Sequence, residues 1–354
     1  MYSLEKRPKT LSEMIGHNTI ISEFKNRSKT FNFPQVMLFV GKPGAGKNTI
    51  AYIIAKLINC EQPEKRDSYY EPCNKCKSCI DINNESFSRD SKYIDCTDYK
   101  SKDVEHLKKL SFLSSMYDKA KIFILDEFQS LGNKDTKSKT NTLLEKPRKN
   151  VYFILCAREH KNIPPDLLQR CQIYNFYPIS SKEIAEYLCK IAIDIEDIDD
   201  IFFEEGILTI AENSNGSVRQ ALQFLERCIE GRIFNSQEIE DQLGFISQEK
   251  EMNILYSLLN TKKEGIWDLY NLKDLESFYF KSKKILIGAI MYKFTNKTDQ
   301  KWKEQNAKIV SQNINLFKLI ECYNFDYYFN ADQFLYKVLE YYNNNYVNIR
   351  QVRK

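Results

Sequence analysis

No run of apolar residues in this chain is long enough to cross a bilayer, because the longest helix-like stretches are interrupted by Lys, Asn or Glu. Nor does charge of one sign dominate. Across 354 residues, 52 Lys and Arg face 48 Asp and Glu, and the resulting +4 is too small to argue by itself for nucleic acid or a membrane surface. The opening MYSLEKRPKT is charged and lacks an apolar centre, so it does not read as a signal peptide. Internal repeats and concentrated basic–aromatic motifs are absent, which argues against a dedicated nucleic-acid-binding module. These absences predict a cytoplasmic protein with no membrane partner. In that reducing compartment the 10 cysteines are not read as disulfides.

What is present is ordinary for a globular protein, with 42% hydrophobic and 28% charged residues in a length that allows two or three cores. The first half alternates apolar runs with helical patterns: VMLFV (36–40), KYIDC ending at Cys96, KIFILDE ending at Glu127, and VYFILC ending at Cys156. Continuous apolar strands separated by helices predict an α/β domain with a parallel sheet covered on both faces. Chemistry in such a sheet sits beyond the carboxyl ends of the strands. After residue 178 only helical patterns follow. SSKEIAEYLCKIAI opens on a capping signal, and GSVRQALQFLERCIEG opens after a glycine turn and closes on Gly231. The expected organisation is 1–178 an α/β domain, 179–240 a small helical lid, and 241–354 a second helical domain.

The segment VGKPGAGKNTIAYIIAKLINC (40–60) places Gly41, Gly44, Ala45, Gly46 and Lys47 between an apolar strand and a helix. That is the pattern of a phosphate-binding loop, in which backbone N–H groups and a helix N-terminus face the phosphates and the lysine adds a point charge. A glycine-rich turn that merely ends in lysine is the bland alternative, and the flanking strand and helix weigh against it. One letter departs from the pattern. Asn48 stands where a serine or threonine hydroxyl would ligate magnesium, and Thr49 arrives one position late. An amide oxygen is an acceptable hard ligand for the ion, whereas one helical step turns Thr49 away from it. Asp126 and Glu127 end an apolar run; alone they would be a strand leaving its core, but beside a phosphate loop they suit a magnesium carboxylate and a water-polarising base.

Cys60, Cys73, Cys76 and Cys79 form a different constellation. The spacing C-x-x-C-x-x-C with an upstream fourth cysteine fits a closed, tetrahedral, structural zinc site. An iron–sulfur cluster is the rival, but the ferredoxin run expects a further Cys-Pro where IDIN stands. Free thiols in a polar loop would invite oxidation. The remaining six cysteines sit among apolar neighbours and read as small buried residues.

A cysteine knuckle directly behind a phosphate-loop helix resembles the bacterial clamp loader ATPase, the gamma/tau subunit of DNA polymerase III, within the AAA+ superfamily. The likeness runs from RPKTLSEMIGH through LINCE, PCNKCKSC, IFILDEFQSL, NTLLEKP and LLQRCQIYNF to GSVRQAL, about the first two thirds of the chain. It implies ATP, Mg2+ and Zn2+ as cofactors, an AAA+ P-loop domain with a zinc-knuckle insert, a helical lid and a C-terminal collar. By position in the family's motifs, Arg170 is the arginine finger reaching a neighbouring subunit's ATP, although Gln169 replaces the usual serine. Arg219 is the lid arginine that contacts phosphate. Lys47, Asp126 and Glu127 act in cis. The implied partners are other loader subunits in a pentameric arc, a sliding clamp and primer–template DNA. Near Ala157 the family carries a small polar residue; Cys156 and Ala157 position water poorly, which leaves Arg158 as the group that would reach the site. That departure and Asn48 keep a second expectation open, a non-hydrolysing subunit that mainly lends Arg170. The long extension of the tau form is expected to be absent.

Overall fold

The structure is a computed structural model and describes residues 1–85, 90–132, 134–161, 163–196, 201–233, 235–246, 248–272, 275–295, 310–313, 315–323 and 331–352. The chain divides into two compact units, 1–233 and 234–354.

In the first unit, five strands form one sheet: β1 (Val36–Gly41), β4 (Ser91–Asp95), β5 (Lys121–Asp126), β6 (Val151–Ala157) and β7 (Gln172–Phe176). Their order is β4-β5-β6-β1-β7, and every pairing is parallel. A strand's side chains alternate between faces, and here both faces are apolar. Met37, Phe39, Ile122, Ile124 and Ile154 belong to one core, packed against α2 (Asn18–Ser28) and α3 (Lys47–Asn59). Val36, Leu38, Val40, Phe123, Leu125, Phe153 and Leu155 belong to the other. There they meet α5 (Ser101–Phe112), α6 (Lys134–Glu145) and α7 (Pro165–Leu168). Burial on both sides is why the three central strands β1, β5 and β6 carry no polar alternation, whereas the edge strands β4 and β7 do.

A short hairpin, β2 (Glu64–Arg66) with β3 (Tyr69–Glu71), and α4 (Lys77–Asn83) follow α3 and carry the cysteines. A four-residue N-terminal turn, α1 (Tyr2–Glu5), packs near the last helix of the unit. That helix, α10 (Val218–Gly231), follows α8 (Ser181–Glu196) and α9 (Ile201–Asn213). The predicted capping box is formed: Glu183 N–H donates to Ser180 Oγ, and Ser180 N–H to Glu183 Oε2.

The second unit is helical throughout its described residues: α11 (Ser236–Leu243), α12 (Gln248–Leu259), α13 (Lys263–Tyr270), α14 (Leu275–Thr295), α15 (Leu316–Ile320) and α16 (Ala331–Val352). Its core centres on Tyr279, Tyr323 and Phe334, whose rings pack 4.9–5.1 Å apart. Tyr279 Oη donates to Tyr323 O, so the buried phenol is satisfied. No described helix in either unit is long and apolar enough to cross a membrane.

Candidate nucleotide site and cysteine knuckle

The turn after β1 is built around glycines that the backbone requires. Gly44 and Gly46 have φ of 78° and 93°, where a side chain is strained. Gly41 admits no Cβ for a different reason: one would lie 2.3 Å from Phe176 O on β7. Gly46 caps α3, and the loop curls over the helix N-terminus. Lys47 is buried, and its ammonium donates to Gly41 O (2.7 Å) and Lys42 O (2.9 Å), cross-bracing the loop. Burial lowers the Lys47 pKa, with Cys156, Asp126 and Glu127 acting the other way. His17 holds the loop from outside, its Nε2 3.0 Å from Ala45 O and its ring against Phe176.

Asp126 at the end of β5 faces this loop. Asn48 Nδ2 donates to Asp126 Oδ2 at 2.5 Å, and Tyr93 Oη donates to the same oxygen at 2.6 Å. Burial, and then that bond, raise the Tyr93 phenol's pKa. A carboxylate only accepts, so the amide nitrogen must face Asp126 and the amide oxygen points away. Asn48 Oδ1 is buried and has no hydrogen-bond partner. An orphaned hard oxygen beside a carboxylate at a phosphate loop is a donor set that fits magnesium. Thr49, one position on, accepts a bond from Arg7 Nε (3.4 Å) instead.

A cavity of about 410 Å3 opens over the loop. Its lining includes Gly44, Ala45, Gly46, Lys47, Asn48, Thr49, Tyr93, Asp126 and Glu127 on one side. Arg7, Pro8, Met14 and Ile15 from the N-terminal segment, and Ile179, Tyr187, Arg219 and Leu222 from the helical part, complete it. Its size suits a small ligand, polar at the loop end and apolar towards Met14, Ile15 and Leu222. The N-cap of α10, Ser217, closes on the loop: a Cβ on Gly44 would lie 1.9 Å from Ser217 Oγ. Gly44→Ala is therefore expected to push the start of α10 off the loop. Nucleotide affinity should fall about tenfold, and stability by about 1–2 kcal/mol from the left-handed backbone alone. Nucleotide titration and urea unfolding of the variant measure the two effects.

Arg158, just past the end of β6, pairs bidentately with Glu127: Nε lies 2.9 Å from Oε2, and Nη2 lies 2.9 Å from Oε1. Gln129 Nε2 donates to Glu127 Oε2 at 2.5 Å. Arg170 lies outside the cavity lining, on the protein surface, with its guanidinium bonded to Asn141 O and Oδ1 and 3.4 Å from Glu145. Sequence reading thus placed the loop, Asp126, Glu127 and Arg219 around one cavity, with Arg170 apart. It missed Tyr93, Arg7 and Ser217. Of these only Ser217, a serine after a glycine turn at a helix start, carried a legible signal.

The second constellation is also assembled. The Sγ atoms of Cys60, Cys73, Cys76 and Cys79 all lie within 4.8 Å of one another. Cys73 N–H points at Cys60 Sγ, and the N–H groups of Lys75 and Cys76 point at Cys73 Sγ, at 3.3–3.4 Å. The Cys60 thiol's pKa is drawn down, chiefly by the Cys79 thiol, whose own value rises in consequence. Four converging sulfurs with backbone N–H groups aimed at two of them fit a thiolate-held metal. Lys56, buried in α3, fastens this knuckle: its ammonium donates to Asn74 Oδ1, Asn83 Oδ1 and Lys9 O at 2.7–2.8 Å. Burial lowers its pKa to about 8. Glu71 accepts from Leu11 N and Ser12 N, both at 2.9 Å. The knuckle is thereby tied to the N-terminal segment that carries Met14 and Ile15.

A five-stranded parallel sheet in this order, flanked by helices, with a glycine-rich loop after β1 and strand-end carboxylates, defines an AAA+ nucleotide-binding fold. A singly substituted RuvB of Thermotoga maritima shares that fold at a TM-score of 0.51, over 79% of this chain and 92% of that one, with 16% identity. The family profile described as "DNA polymerase III, delta subunit" matches residues 16–180. The DNA polymerase III subunit gamma of Buchnera aphidicola (subspecies Baizongia pistaciae) is 30% identical over 72% of this chain and 67% of its own length. The subunit tau of Bacillus subtilis is 32% identical over 68% of this chain but 42% of its own length. Protein STICHEL of Arabidopsis thaliana is 31% identical over 73% of this chain and only 21% of its own length. The chain belongs to the DNA polymerase III gamma/tau clamp loader family.

Proposed function

We propose that this chain is a clamp loader subunit that uses ATP binding and hydrolysis to open a sliding clamp and load it on primer–template DNA. The observation that carries this reading is the convergence of Lys47, Asn48, Asp126, Glu127 and Arg219 on one cavity over a phosphate loop. In this reading 1–178 is the AAA+ domain, 179–240 its lid, and 241–354 the collar through which subunits assemble into a pentameric arc. Backbone N–H groups of Gly44 to Asn48 and the start of α3 cradle the phosphates. Lys47 leaves its loop carbonyls for phosphate oxygens. Magnesium, when bound, neutralises charge on the β- and γ-phosphates, and Asn48 Oδ1 and Asp126 are the groups that would hold it. Glu127 orients the attacking water. Arg219 grips phosphate from the lid, and Arg170 reaches the neighbouring subunit's nucleotide, so that turnover depends on assembly. The four cysteines hold a structural zinc.

One observation favours a second reading, a subunit that binds ATP without hydrolysing it and contributes Arg170: both Glu127 oxygens are engaged by Arg158. The assembled loader, with clamp and primer–template DNA, decides between them. Hydrolysis predicts DNA-stimulated ATP turnover that Arg170→Ala lowers about 1000-fold at the neighbouring site. Turnover unchanged by DNA and by Arg170→Ala would remove the enzymatic reading.

A further inference from the structure

Asp126 is bonded within the protein through both of its oxygens. Oδ2 accepts from Asn48 Nδ2 at 2.5 Å and from Tyr93 Oη at 2.6 Å, and Oδ1 accepts from Glu127 N–H at 2.8 Å. A carboxylate oxygen has two lone pairs, so both of those on Oδ2 are spent. Asn48 Oδ1, by contrast, is buried and has no hydrogen-bond partner. An amide oxygen buried in that way costs free energy. Turning the amide over does not relieve it, because its oxygen would then sit about 2.5 Å from a carboxylate oxygen, and neither atom could donate.

The phenol that shares Oδ2 comes from the edge of the sheet. β4 pairs with β5 so that Tyr93 lies opposite Ile124 and Asp95 lies opposite Asp126. Tyr93 therefore starts two residues short of Asp126 on the neighbouring strand, a gap of about 7 Å that the length of a tyrosine bridges. Its ring meets that of Tyr52 on α3 edge-on, with centroids 6.1 Å apart. Tyr52 is held in turn by the Arg7 guanidinium, 4.4 Å from its centroid. Burial, the leading cause of the raised Tyr93 pKa, keeps the proton on the hydroxyl, where it is donated to Asp126. Tyr93 thus holds Asp126, Asp126 holds the Asn48 amide, and the amide oxygen is left over.

We propose that Tyr93 is a positioning residue for the metal: by bonding Asp126 it locks the Asn48 amide with its oxygen available to a divalent cation, and so makes an asparagine serviceable where a hydroxyl would need no help. This rests on the nucleotide reading of the cavity. A serine or threonine hydroxyl rotates to suit its partners. An amide carries its donor and its acceptor in one rigid plane and serves a cation only one way round. The phenol matters because residue 48 is an asparagine, and that dependence is measurable without turnover.

The test is equilibrium binding of the β,γ-imido analogue of ATP to the full zinc-loaded chain, at graded Mg2+ and without the ion. Tyr93→Phe keeps the ring and its contact with Tyr52 and removes only the hydroxyl. It is expected to raise the Mg2+ needed for half-maximal uptake about tenfold, the scale of losing a group that orients a metal ligand. Affinity without the ion should not change. Asn48→Ala is expected to raise the requirement at least as much, and the double variant no further, because both act through one oxygen. Beside Asn48→Thr, Tyr93→Phe is expected to change nothing. Mn2+ in place of Mg2+ gives a second readout: hyperfine coupling to an isotope-labelled asparagine amide, present in the unaltered chain and lost in Tyr93→Phe at equal occupancy. An unchanged Mg2+ requirement in Tyr93→Phe would overturn the proposal, as would losses that simply add or that persist beside Asn48→Thr. A parallel fall in metal-free affinity would assign Tyr93 a structural role and overturn it as well. Uptake by the unaltered chain that Mg2+ does not strengthen refutes the lock alone; no uptake with or without the ion removes the nucleotide reading with it.

Discussion

Glu127→Gln is expected to lower ATP turnover of the assembled loader about 1000-fold, the scale of losing a positioned general base, while the protein remains folded. The carboxylate lines the cavity at the end of β5, next to Asp126 and across from the phosphate loop. The amide is the same size and keeps an acceptor for Arg158 and a donor for its surroundings. What it loses is the negative charge that draws a proton from water. Stability should change by less than about 1 kcal/mol, since the Arg158 pair is half exposed and such pairs contribute little. Steady-state turnover and thermal unfolding, measured on the same preparation, separate the two effects. Equal turnover in variant and wild type would show that hydrolysis does not pass through Glu127.

If the knuckle holds the proposed zinc, chelation or loss of a thiolate is the second large expected effect. Structural zinc contributes about 10 kcal/mol to small metal-folded units, and the knuckle has little regular structure of its own beside the cysteines. Its hairpin pairs only three residues with three, and its cysteines form a cluster of their own. Chelation, or Cys76→Ser at the half-buried ligand, is expected to unfold the knuckle at temperatures where the sheet persists. The consequence should reach the nucleotide site, because Lys56 and Glu71 bond to Lys9, Leu11 and Ser12 in the segment leading to Met14 and Ile15. Lys56→Met keeps the four cysteines but removes the donor that three partly buried acceptors share, at a cost of about 1–3 kcal/mol. Metal analysis with calorimetric unfolding checks this. One zinc per chain, with a low-temperature transition that appears on chelation, is expected. An unfolding profile indifferent to chelation would contradict a structural metal site.

The parts of the site legible in the sequence are those whose chemistry is local. Gly41 to Lys47 form one turn, and Asp126 with Glu127 end one apolar run, so spacing alone carried them. Cys73, Cys76 and Cys79 share a turn and the start of a helix. The two-faced sheet was legible because strands such as Val36–Gly41 bury both sides and carry no polar letters. Contacts between distant segments left no such trace, beyond the expectation from the family resemblance that Arg158 would reach the site. Tyr93 meets Asp126 across 33 residues, Arg158 meets Glu127 across 31, and Lys56 reaches Asn74 and Asn83 across 18 and 27. Each depends on sheet register or helix docking rather than on a repeating period. The lysine of AYIIAKLI stands plainly in the sequence, but neither its burial nor its partners could be read there. The aromatic stack of Tyr279, Tyr323 and Phe334 is of the same kind, since helices were expected there without any sign of which rings would meet.

The central claim, that the loop after β1 is a nucleotide site, is tested most directly by calorimetric titration of the zinc-loaded chain with ATP and magnesium, beside Lys47→Met. The account predicts one nucleotide taken up per chain, and uptake lost when the ammonium is removed. No heat from the unaltered protein, or identical binding by Lys47→Met, would contradict it.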